Sequence, residues 1–95
     1  MDIKKLQAHL ESMVTGVVSK APAERFQVTT AGNAVKLHDS QRKAFYTTVL
    51  EDTKATMRII PVYGITETLT YSYSDYDSPE TALIAISNQY ARIIK

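Results

Sequence analysis

Apolar residues in the first nineteen positions recur at steps of three and four: Ile3, Leu6, Leu10, Met13, Val14 and Val17. That spacing puts them on one stripe of a helix over residues 2–19, with Lys4, Lys5, Gln7, Glu11 and Ser12 on the other side. Asp2 is placed to cap the first turn, and Pro22 prevents continuation beyond Lys20.

The pattern then changes period. Residues 25–30 (RFQVTT) alternate and are rich in β-branched side chains, as a strand requires. Ala31-Gly32-Asn33 reads as a turn and residues 34–38 as the return strand of a hairpin. His38-Asp39 closes that hairpin, and the connection runs on through Arg42. Residues 43–51 and 55–60 predict two more strands about the polar turn Asp52-Thr53-Lys54. Pro61 lacks an N–H and ends the second of them.

Residues 65–74 (ITETLTYSYS) form the clearest two-residue period in the chain. Ile65, Leu69, Tyr71 and Tyr73 share one face with Glu67, and Thr66, Thr68, Thr70, Ser72 and Ser74 share the other. A last helix is predicted from Pro79 to Ile94 with the stripe Leu83, Ile86, Tyr90 and Ile93. Ser78 is its N-cap, Pro79 suits the first helical position, and Asp77 and Glu80 lie at the positive end of its dipole.

Two amphipathic helices need one surface against which to bury their stripes. The expected fold is therefore α+β, a two-layer sandwich. It has an antiparallel sheet of four to five strands with the N-terminal and C-terminal helices on one face, in the order α-β-β-β-β-(β)-α. Ninety-five residues make this a single domain, 1–95.

Composition narrows the chemistry. There is no cysteine, which excludes disulfides and thiolate chemistry and fits a reducing, cytoplasmic setting. No apolar run approaches the ~20 residues of a membrane span. His9 and His38 are far apart and form no metal-ligating pair, so neither metal nor cofactor is expected. Gly16, Gly32 and Gly64 are isolated, and no G-x-S-x-G elbow or phosphate loop is present. The carboxylate pairs Glu51-Asp52 and Asp75-Asp77 sit at turns, where solubility and turn formation account for them. The protein is therefore expected not to be an enzyme.

Charge is uneven. The net value is only +1, yet no Lys or Arg occurs between Arg58 and Arg92. Inside that span, Tyr71, Tyr73 and Tyr76 stand among Asp75, Asp77 and Glu80. Tyrosine with acid suits a protein partner of basic surface, and these six residues are the expected partner-binding set. The expected function is a small non-enzymatic protein-interaction module that regulates or inhibits a larger macromolecule. Phages and other mobile elements encode many proteins of this kind, anti-CRISPR inhibitors among them. Homodimerisation through exposed strands is a further expectation. The alternative is nucleic-acid binding through Lys4, Lys5, Arg42 and Lys43. Helix-strands-helix is loosely the order of a double-stranded-RNA-binding domain, but Asp77-Ser78-Pro79-Glu80 stands where that family carries phosphate-gripping lysines.

Overall fold

The computed structural model describes residues 2–95. The elements are α1 (Ile3–Val18), β1 (Phe26–Ala31), β2 (Ala34–Asp39), β3 (Ala44–Leu50), β4 (Lys54–Ile60) and β5 (Glu67–Ser72). A single 3-10 turn (Tyr73–Asp75) and α2 (Pro79–Ile93) complete the chain. The five strands form one antiparallel meander in the order β1-β2-β3-β4-β5, and both helices pack on the same face. This is the expected α+β sandwich, with the fifth strand present.

Local chemistry explains the boundaries. The Asp2 carboxylate accepts from Lys5 N–H at 3.1 Å and caps α1. Ser78 Oγ accepts from Thr81 N–H at 3.2 Å and caps α2, with Pro79 at the first position. Gly32 turns β1 into β2 at φ 58°, in the left-handed region that glycine enters without strain. Asp39 accepts from Gln41 N–H (3.0 Å) and Arg42 N–H (3.2 Å), which closes the β2–β3 turn as expected from His38-Asp39. Lys43, expected as the first residue of β3, instead belongs to that turn with φ 52°. β5 is shorter than the alternation suggested. Ile65 and Thr66 lie before it, and Tyr73 turns inward in the 3-10 segment that follows.

Register fixes which side chains enter the core. Leu37 lies opposite Tyr46, and Val35 opposite Thr48. Thr48 in turn opposes Met57, and Leu50 opposes Ala55. These residues meet Leu6, Leu10 and Val14 of α1 and Ala82, Leu83, Ile86 and Tyr90 of α2 in one continuous core. The helices lie side by side and run in the same direction. A shallow groove joins their starts (Asp2, Lys5, His9, Glu80) and another joins their ends (Val17, Ala21, Ala91, Ile94). Polar ties hold the layers in place. Gln7 Nε2 donates to Gly32 O and Ala34 O, both at 2.9 Å, and Lys4 Nζ also donates to Gly32 O. At the other end, the Arg42 guanidinium donates to the carbonyls of Ile93 and Lys95.

Candidate functional site

The six tyrosine and acid candidates differ in their exposure. Tyr73 is buried, and among the described residues its hydroxyl has no hydrogen-bond partner within bonding geometry. Burial raises its pKa, as it does for Tyr71, which packs half-buried against the core from β5. Tyr76 is also half-buried against the core. Asp75, Asp77 and Glu80 are exposed. The β3–β4 turn comes beside them, because Tyr73 N–H donates to Thr53 O at 3.0 Å. Glu51 and Asp52 therefore join the acidic end, and their charge contributes to the raised pKa of Tyr73. The chain's alternation could not reveal this approach, which depends on β4 pairing with β5.

The basic candidates are divided. Lys4 and Lys5 lie on the first turn of α1, and Lys4 is engaged at Gly32 in the β1–β2 turn. Arg42 and Lys43 lie in the β2–β3 turn, at the opposite end of β2. Arg42 is occupied by the α2 carbonyls. Lys5 and Glu80, one from each candidate set, line the same groove of about 370 Å³ beside His9. Among the described residues, no group of three His, Asp or Glu side chains is placed to hold a metal ion, and no helix is long and apolar enough to cross a membrane.

A different surface carries the more unusual arrangement. The helices cover one face of the sheet, and the other face is open. Pairing aligns three rows across it. One row is Gln27, His38, Phe45 and Ile60, and a second is Thr29, Lys36, Thr47, Arg58 and Thr68. The third is Ala31, Ala34, Val49, Thr56 and Thr70. Phe45 is 48% exposed and stacks on His38, with ring centroids 4.5 Å apart and planes 22° apart. Ile60 and Val49 are also exposed on this face. Lys36 and Arg58 lie two strands apart with only Thr47 between them, and among the described residues neither has an ion-pair partner. None of the residues in these rows is acidic.

Sequence reasoning leaves the face opposite the helices open to a partner but does not place Phe45 and Val49 on it, because β3 is apolar on both sides. Phe45 and Val49 alternate with Tyr46, Thr48 and Leu50, so periodicity alone does not say which set faces inward. The usable signal lay in β2, where Lys36 and His38 alternate with Val35 and Leu37. Carrying that alternation across the hairpin places Phe45 and Arg58 outward.

No family model, curated protein or solved structure matches this chain significantly. Its function has to be read from its surfaces.

Proposed function

We propose that the protein is a non-enzymatic interaction module that binds a larger macromolecule through the open face of its sheet and thereby regulates or inhibits it. The observation that carries this reading is the exposed Phe45–His38 stack, flanked by Ile60 and Val49 and bordered by the cations Lys36 and Arg58. Aromatic and aliphatic anchors ringed by polar side chains match the anatomy of a protein interface. Short hydroxyl side chains (Thr29, Thr47, Thr56, Thr68, Thr70) leave the face flat enough for a partner to approach the anchors. The cations favour a protein with an acidic surface, in contrast to the basic partner that suits the Asp75–Glu80 junction.

Affinity capture from a cognate extract, with the captured protein then purified and titrated calorimetrically, tests this. Phe45→Ala with Arg58→Glu is expected to abolish binding, and Asp75→Lys with Tyr76→Ala to leave it intact. The reverse pattern would transfer the function to the acidic junction. A labelled single-stranded oligonucleotide serves as the control. Salt-sensitive binding lost with Arg58→Glu would replace the protein partner by nucleic acid.

A further inference from the structure

We propose that β5 is a self-association edge, through which two copies pair antiparallel about Leu69 and join their sheets into one. β5 is the last strand of the meander, so one side of its backbone has no strand partner. Its sequence, Glu67 to Ser72, contains neither lysine nor proline, its one charge is Glu67 at the end of the strand, and its pairing with β4 is regular without a bulge. β1, the other edge, has no large exposed apolar residue beside it, whereas β5 follows Val62 (53% exposed), Tyr63 (88%) and Ile65 (92%).

The sequence about Leu69 is nearly symmetric in character. Hydroxyl residues occupy 66, 68, 70, 72 and 74, and larger side chains occupy 65, 67, 69, 71 and 73. An antiparallel partner centred on Leu69 therefore sets hydroxyl against hydroxyl along the strand, Thr66 against Ser72 and Thr68 against Thr70. Leu69 meets the partner's Leu69, Thr68 meets the partner's Thr70, and Glu67 meets the partner's Tyr71, whose hydroxyl can donate to the carboxylate. Such cross-strand pairs each favour the ladder. The strand directions also carry the 62–66 loop of each copy toward the partner's 73–76 junction. Tyr63 and Ile65 then cover the half-exposed Tyr76 side of the partner, and the Tyr63 hydroxyl comes within reach of the partner's Asp75.

No acid faces an acid in this register, and no cation is needed in the base-free span. One symmetry operation accounts for the open edge, the two most exposed apolar side chains and the tyrosine-bearing junction together. Tyr63 and Ile65 from both copies contribute on the order of 600 Å². With the edge backbone added, the total approaches the ~1,000 Å² that a specific interface requires. The inference does not rest on the open-face reading: Thr68 and Thr70 lie at the β5 margin of that face, but none of its anchors or cations (Phe45, His38, Ile60, Val49, Lys36, Arg58) takes part in the pairing.

Sedimentation equilibrium of the purified chain tests it. The wild type is expected to give twice its 10.6 kDa mass as concentration rises into the range of tens to hundreds of micromolar. Thr70→Lys and Ile65→Asp, each with an unchanged circular-dichroism spectrum, are expected to weaken the dimer at least tenfold. The chain has no native cysteine, so oxidation of Leu69→Cys reads the register directly by forming a covalent dimer. A wild type that stays monomeric throughout that range overturns the proposal. So does a dimer that survives both edge variants, or one that Leu69→Cys fails to cross-link.

Discussion

Tyr90 on α2 and Thr48 on β3 share a hydrogen bond of 2.7 Å between their hydroxyls, and both residues are wholly buried. The Tyr90 ring also meets Tyr46 edge-on, with centroids 6.5 Å apart. A helix and the central strand are thus fixed to each other by a polar contact inside the core. Tyr90→Phe removes the bond but keeps the ring, and leaves the Thr48 hydroxyl without its partner. A loss of about 1–2 kcal/mol is expected. In a double-mutant cycle by urea unfolding, Thr48→Val with Tyr90→Phe should cost less than the sum of the single changes. Strict additivity would show that the two hydroxyls do not depend on each other.

The same hydroxyl sets the alkaline limit of stability. Burial pushes the Tyr90 pKa up to about 12, with the hydrogen bond to Thr48 opposing it in part. Above pH ~10 the unfolded chain releases this proton while the folded chain retains it. Stability is therefore full below pH ~10 and falls as pH rises toward 12, by roughly 2–3 kcal/mol from this group. Tyr71 and Tyr73, also raised by burial, act in the same direction. Urea midpoints measured from pH 9 to 11.5 should decline for the wild type and decline less steeply for Tyr90→Phe. Parallel curves for the two proteins would contradict this assignment.

Asp39 governs the acid side. Burial alone would raise its pKa, but the Arg25 guanidinium (3.0 and 3.1 Å) and the N–H groups of Arg42 and Gln41 outweigh burial and hold it below the ordinary carboxylate value. The stabilisation is present above the unfolded pKa near 4 and is lost as pH falls through the lower folded value. Asp39→Asn should destabilise by roughly 2–3 kcal/mol at pH 7, less than a fully enclosed pair because Arg25 remains partly open to water. Its stability should also vary less than that of the wild type between pH 5 and 2. An Asn variant with the wild-type acid transition would remove Asp39 from this role.

Helices and capping residues were legible because their causes are local. The stripe of α1, the Ser78-Pro79 start of α2 and the Gly32 turn each follow from residues within one or two turns of chain. The surfaces were less legible because they depend on distant pairing. Tyr71 and Tyr73 share a parity that does not itself say inward or outward. Their burial follows from α2 closing over that end of the sheet. The Lys36–Thr47–Arg58 row joins residues 22 positions apart and exists only once two hairpins are in register. Arg42 looked like a free cation because its acceptors, the carbonyls of Ile93 and Lys95, lie some fifty residues further along the chain.

That contact predicts a local effect. Arg42→Ala leaves the backbone N–H that Asp39 accepts, but removes the donors from the end of α2. The last turn of α2 should fray, with amide exchange at Tyr90–Ile94 faster by severalfold and exchange in β3 unchanged. Global stability should fall by only about 0.5–1 kcal/mol, since the guanidinium is exposed to water. Unaltered exchange at the α2 terminus would mean that the guanidinium does not hold it.

Lys43 separates stability from charge within one residue. Its φ of 52° lies in the left-handed region, which costs a residue bearing a Cβ about 1–2 kcal/mol relative to the right-handed one. Glycine adopts that conformation without the steric penalty, although it gives the unfolded chain more freedom to lose. The balance favours Lys43→Gly by about 0.5–1 kcal/mol, a rise of several degrees in the thermal midpoint for a domain of this size. Because Lys43 is also a candidate phosphate contact, the same variant bears on the nucleic-acid alternative. If that alternative held, Lys43→Gly would be more stable yet bind an oligonucleotide more weakly, with a shallower salt slope. The open-face reading expects higher stability with binding unchanged. A variant no more stable than the wild type would show that the strain relieved at position 43 does not exceed the added freedom of the unfolded chain.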